Sequence, residues 1–458
     1  MTSPLPQFYP NTLRTAGTTD EALRSTLSEL RDAVEGAAQR IEEQPIVNSE
    51  QECGDIFDGQ LGKYPVLISA IYQLAQNRPL GIAVLYLYLS RHATSGAQHY
   101  LTAARRRIPD RSEKKWPFLP GKCSPLTSEK LASAFLRLGL AKEADSEDVH
   151  HDLALLQEAA EFALQQPDTV PLGTKHTKGT DEVLTGRAGL LWSLLLLRDW
   201  WDDGDFSSMR RDVFAAIPKL VNVIIEAGLR SSEKYASANG ESGRQALMWT
   251  WLNDFYGFGG MHGSTGILSV LLCCKSEEIE SYLPQITDSI KQLSELTVSS
   301  DGHLPMSSPP WPSPKTRTSP LVQICHGAPG ILLLLACAMR QPSVRTSLGD
   351  IHDVVDLATK RVWEEGLLSK GGGVCHGIAG NALSWVILAS AEGETSHLQY
   401  ALPFLLWMRE TQPSKENEEF RMPDHPYSLF EGLAGTALVW AYSCNVIEDI
   451  LGRHKPTI

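Results

Sequence analysis

The chain has 458 residues, 42% hydrophobic and 21% charged, within the ordinary range for a globular protein. Its formal net charge of −13, with no basic stripe to offset it, argues against nucleic acid as a partner. No apolar run approaches the ~20 residues of a membrane span, and eight cysteines in so long a chain do not form a secreted disulfide framework.

Taken in chain order, MTSPLPQFYPNTLR has no charged start leading into an apolar core, so no signal peptide is expected. The stretch 21–43, EALRSTLSELRDAVEGAAQRIEE, places apolar residues at helical spacing among charges and predicts a half-exposed outer helix. At 58–62 stands DGQLG, a Gly-x-x-Gly phrase with Gly59 and Gly62. An apolar helix should follow directly, but KYPVLISAIYQLAQNRPL intervenes before GIAVLYLYL resumes at Gly81. The basic run at 105–107 reads as a solvated helix end, and a degenerate copy of the glycine phrase surrounds Gly121. The phrase then recurs as TGRAGLLWSLLLL, HGSTGILSVLL, HGAPGILLLLACA, HGIAGNALSWVIL and EGLAGTALVWAY.

The runs after these glycines lack a polar face, so they predict helices buried on all sides. Nothing alternates convincingly at period two, so strands are few. Seven inner helices paired with seven outer ones predict an all-α fold, a seven-repeat double α/α toroid forming a single domain over 1–458. Residues beside the glycine pairs would then line one shared cavity. Cys273, Cys274, Cys337 and Cys444 lie in apolar runs and read as buried, reduced fillers. A cytoplasmic location follows, with peripheral association with a membrane left open.

Two repeats carry Cys-His-Gly: QICHGAPG at 323–330 and GGGVCHGIAG at 371–380. Cys325 and Cys375 occupy the same slot and His376 follows Cys375, so two thiolates and an imidazole can converge on one ion. Such a set leaves a fourth position open, as catalytic zinc sites do, and thiolates favour zinc over magnesium or calcium. The alternative is a packing device of small residues at a crowded turn. His326 is left over, as a supporting or structural group. His262, one repeat earlier and without a cysteine, is either a general acid at the cavity or a satisfied histidine capping a buried helix.

The phrases CHGAPG, GLLSKGGGVCHGIAGNA and PDHPYSLFEGLAGTALVW resemble the lanthionine synthetase C family, and its eukaryotic LanC-like branch in particular. The resemblance runs from FYPN through the last repeat. It implies the seven-repeat toroid and one zinc ion on Cys325, Cys375 and His376. It also implies an activity, the addition of a thiol to dehydroalanine or dehydrobutyrine. In bacterial members the thiol is a peptide cysteine; in the eukaryotic branch it is glutathione, added to dehydrated residues in proteins. Lys370 and Arg421 match positions that bind glutathione, and His262 matches the histidine that protonates the enolate. The acidic residue ahead of the Gly-Arg-x-Gly repeat is Asp181 or Glu182. Two departures stand out. Gln7 occupies a position that is basic in the family, and the loop SSPPWPSPKTRTSP (307–320) is longer and richer in proline than the pattern.

Three other readings compete: a non-catalytic glutathione-binding or kinase-regulating adaptor, a lanthionine-forming peptide cyclase, and glycoside hydrolysis. The last needs two placed carboxylates, whereas the repeat turns offer mainly Cys and His. The segment 63–81 also reads as a translated intron. Gly-Lys-Tyr can be spelled with the donor-like GTAAGT and Leu-Gly with the acceptor-like TAG, and excision in frame restores DGQLGIAVLYLYL. The other reading is a genuine surface insertion, which loops tolerate.

Overall fold

The computed structural model describes residues 5–44, 79–93, 95–111, 118–141, 147–201, 208–312, 317, 319–410, 420 and 425–453. In chain order the helices are α1 (Asp20–Glu42), α2 (Pro79–His92), α3 (Ala97–Arg105), α4 (Glu129–Leu140), α5 (Glu147–Gln165) and α6 (Arg187–Trp200). They continue as α7 (Ser208–Phe214), α8 (Ala216–Asn239), α9 (Ser264–Leu271), α10 (Ser276–Ile279), α11 (Leu283–Ser299) and α12 (Ala328–Met339). The last are α13 (Pro342–Leu348), α14 (His352–Glu365), α15 (Ile378–Glu392), α16 (Leu398–Glu410) and α17 (Leu433–Arg453).

Seven of these close a ring: α2, α4, α6, α9, α12, α15 and α17 each touch the next, and α17 touches α2. Each inner helix packs on the outer helix that follows it, in the order α3, α5, α8, α11, α14 and α16, and α1 covers α17. This is the all-α double toroid with seven repeats. The N-terminal helix completes the last repeat, so the chain's two ends lock each other.

Sequence explains the division. In α1, Leu23, Leu27, Leu30, Val34 and Ile41 are buried at helical spacing while the charges between them face out. Thr19 caps this helix, its hydroxyl accepting from the Ala22 amide at 3.3 Å. In α12, APGILLLLACAM, nothing needs solvent. Indoles pin inner helices to their outer partners. Trp385 of α15 donates to Thr359 of α14, and Trp440 of α17 donates to the Leu405 carbonyl of α16. Both lie five residues past the second glycine of their repeats. Each is essentially buried, so the indole N–H must find such a partner.

Four of the glycine phrases share one geometry. The second glycine sits in the first helical turn, where a Cβ would collide with the carbonyl six residues back. The pairs are Gly189 with Val183, Gly266 with Gly260, Gly380 with Val374 and Gly435 with Leu429. The loop therefore folds over the helix start, which only glycine permits. The doubtful second repeat departs from this: Ser128 caps α4 instead, accepting from Leu131 at 3.4 Å.

Strands are few and short. β1 (Thr169–Leu172), β2 (His176–Gly179), β3 (Thr250–Leu252), β4 (Phe255–Gly257) and β5 (Ser307–Ser308) form one antiparallel sheet in that order. They lie in the connections that lead into α6, α9 and α12, at the end of the toroid where those inner helices begin.

Two expectations are corrected. The run at 105–107 is not wholly solvated: Arg107 is buried, with its guanidinium 4.7 Å from the Tyr86 ring centroid and donating to the Ala103 carbonyl. Cys273 is exposed rather than a buried filler, because α9 stops at Leu271 and leaves it in the following turn; Cys337 is only half-buried. No helix among the described residues is long and apolar enough to cross a membrane.

Candidate active site

Two slots before the inner helices hold the repeat cysteines and histidines. The slot two residues ahead of the first glycine holds Leu184, Met261, Cys325, Cys375 and Phe430 in successive repeats. In the structure these side chains form one cluster, with Phe430 at its edge. Backbone bonds set the alignment: the Cys325 amide donates to the Cys375 carbonyl at 3.1 Å, and the Cys375 amide to the Phe430 carbonyl at 3.0 Å. Neighbouring loops are thus stitched slot to slot, and only the fifth and sixth repeats put a thiol there.

Cys325, Cys375 and His376 have ligand atoms within 4.8 Å of one another, a group able to hold a metal ion. Both cysteines are 1% exposed. Burial works against a Cys325 thiolate, but hydrogen bonds from Cys375 and His376 outweigh it and hold that thiol well below its ordinary range. Gln323 donates to the Cys325 sulfur at 3.0 Å. A buried thiolate with two hydrogen-bonding neighbours of ligand type fits a soft cation. His376 also reaches Glu431 at 3.3 Å, a carboxylate of the kind that orients metal-bound imidazoles.

The next slot, one residue ahead of the glycine, holds Thr185, His262, His326, His376 and Glu431. Here the two carboxylates left open by the sequence separate. Glu182 accepts from His262 Nδ1 at 2.7 Å, while its other oxygen accepts from Thr185 at 2.6 Å. Thr185 in turn accepts from Lys178 at 3.1 Å. Asp181 points elsewhere, pairing with Arg187 at 2.7 Å at the start of α6. Burial pushes Asp181 up to about 7 despite that cation. Burial likewise pushes His262 down, but Glu182 outweighs it and holds the imidazole above its ordinary value.

His326 has no ligand partner beside the two thiols. Its ring stacks on His262, centroids 5.2 Å apart, and lies tilted against Trp251 of β3 at 5.1 Å. Burial holds it neutral, down to about 4. A neutral imidazole beside His262 avoids stacking two cations.

A family model described as lanthionine synthetase C-like protein matches residues 79–445. The chain belongs to this family. It is 28% identical to the glutathione S-transferase LANCL1 of Danio rerio over 364 residues, covering 78% of each chain. It is 27% identical to the LanC-like protein GCL1 of Arabidopsis thaliana over 263 residues, 57% of this chain and 54% of that one. The solved structure of nisin cyclase shares the fold at a TM-score of 0.51 and 14% identity, covering 93% of this chain and 98% of that one.

The other residues singled out in the sequence of this LanC-like chain have separate settings. Lys370 is half-buried and donates to Gln323 at 3.3 Å, so its charge lies one side chain away from Cys325. Arg421 lies outside the described residues. Gln7 donates to the carbonyls of Ser319 and Pro320 at 3.1 and 3.0 Å, and Ser369 donates to Pro6 at 2.5 Å. The N-terminal strap is thereby tied to the chain just ahead of Gln323 and just ahead of Lys370. In the proline-rich loop, Trp311 packs on Trp251 and Phe255, each at 4.7 Å, so the loop backs the aromatic ring that supports both histidines.

Sequence reasoning missed Glu431, Thr185, Gln323 and Trp251. The first two had a signal in their register, one residue ahead of a repeat glycine as in His262 and His376. Gln323 and Trp251 had none, since their roles depend on how loops from different repeats meet.

Proposed function

We propose that this protein adds the glutathione thiol to dehydroalanine or dehydrobutyrine residues of proteins or peptides, with one zinc ion held by Cys325, Cys375 and His376. The observation that carries this reading is the convergence of two buried cysteines and a histidine beside a separate His262–Glu182 pair. When bound, zinc would supply the Lewis acidity that keeps an incoming thiol deprotonated at neutral pH. Lys370 offers a cation for a glutathione carboxylate, and Arg421 is assigned the same task on the family resemblance. Addition at the β-carbon leaves an enolate, and His262, its pKa raised by Glu182, gives a proton to the α-carbon. A cytoplasmic setting, where glutathione is abundant, belongs to the same reading. Trp311 and its loop shape the approach of the dehydrated substrate.

Elemental analysis joined to an activity assay tests the metal's part. The purified protein should carry about one zinc, and Cys375→Ala should lose both zinc and addition. Full zinc in that variant would remove Cys375 from the site. A dehydrated peptide that carries its own cysteine, offered without glutathione, separates this activity from peptide cyclisation.

A further inference from the structure

The toroid holds a second thiol pair, remote in register from the metal ligands. Cys273 and Cys337 each lie seven residues after the second glycine of their repeat, Gly266 and Gly330. That is two helical turns, roughly 10 Å, towards the C-terminal ends of the neighbouring inner helices α9 and α12. These two helices pack directly against each other, and Cys273 lies in the turn two residues past the end of α9. The two thiols are hydrogen-bonded to each other. Both are free cysteines, Cys273 exposed and Cys337 half-buried.

We propose that Cys273 and Cys337 form a thiol–disulfide modification site, oxidised by a small-molecule disulfide such as glutathione disulfide to a bond that links α9 to α12. The chemistry balances as two exchanges. Cys337 sulfur attacks one sulfur of the small disulfide, forming a mixed disulfide and releasing one thiolate. Cys273 then attacks the Cys337 sulfur and releases the second thiolate. The two protons lost by the protein go to the two leaving thiolates, and two electrons pass from protein to reagent. Cys337 takes the first step because Cys273 donates a hydrogen bond to it and Arg340 lies nearby, both holding its thiol below the ordinary range. The order of attack then leaves the exposed Cys273 to resolve the adduct.

The site differs from the metal-binding pair in what surrounds it. Cys325 and Cys375 have His376 as a third ligand, whereas Cys273 and Cys337 belong to no such group among the described residues. The bond would tie the helix that follows His262 to the helix that follows Cys325.

The test treats the full-length protein, as purified, with glutathione disulfide, blocks remaining thiols by alkylation, and maps peptides without reduction. The expected result is a cross-linked peptide joining Cys273 and Cys337, lost completely in Cys273→Ser and in Cys337→Ser. Cys273→Ser should instead accumulate a glutathione adduct on Cys337 that the unaltered protein does not retain. Serine is nearly isosteric, and equal melting temperatures of the reduced proteins show that the fold is kept. Full alkylation of both cysteines after treatment would overturn the proposal. So would a bond confined to other cysteines, or an adduct no more abundant in Cys273→Ser than in the unaltered chain. None of these outcomes depends on thioether formation, so the site stands or falls apart from the proposed activity.

Discussion

Asp181 and Glu182 are neighbours in sequence with different partners, and their loss should produce different failures. Asp181 is the nearer carboxylate on the buried Arg187, with Asp168 at 3.7 Å, so Asp181→Ala removes its closest counterion and should cost about 3 kcal/mol in a urea unfolding experiment. Glu182→Gln should keep the fold but slow addition by about 10² to 10⁴, the usual contribution of a placed proton donor. His262→Asn should slow it by a similar factor while retaining zinc. The double variant should be little worse than either single one, since the two side chains act as a unit. The sign of the pH effect follows from Glu182, which raises the His262 pKa above its ordinary value. The rate should therefore hold while His262 is protonated and fall as pH rises through that raised value. Glu182→Gln should move the fall to lower pH; an unmoved limb would separate the pair from proton delivery.

At the scale of elements, the glycine phrase ties the fold to the site. In the sixth repeat the carbonyl that meets Gly380 belongs to Val374, the residue before Cys375. In the third repeat the same contact involves Gly189 and Val183, with no metal ligand attached to it. Gly380→Ala and Gly189→Ala should both destabilise by about 1–3 kcal/mol through overpacking, but only Gly380→Ala should also lower zinc content. Equal zinc in the two variants would mean that the loop carrying Cys375 tolerates the shift. The glycine phrases made the inner helices legible in the sequence because a tight loop-to-helix entry has few chemical solutions. The same repetition made the Cys325, Cys375 and His376 set readable, since equivalent slots in a ring must converge. Asp181 and Glu182 remained ambiguous because a one-residue choice in a loop depends on tertiary partners. Arg107 and Cys273 were misread because local composition does not say which side of a helix end faces water.

For the whole molecule, closure of the ring by α1 on α17 makes the two ends of the chain one structural unit. The segment 63–81 bears on that unit. Only Pro79–Gly81 lie among its described residues, as the first turn of α2. We keep the proposal that this segment is a translated intron, and transcript sequencing checks it. Mature messages should lack the codons for residues 63–81; if every message carries them, the segment is part of the protein. The central claim concerns the centre of the ring, where the two thiols, His376, His262 and Glu182 converge. Its most direct test is the mass of a product. Purified protein shown to carry zinc is incubated with glutathione and a dehydroalanine peptide, and the peptide is weighed. The account predicts a gain of one glutathione per dehydroalanine, absent with Cys375→Ala and strongly slowed with His262→Asn. A peptide whose mass is unchanged after incubation with the zinc-loaded protein would contradict it.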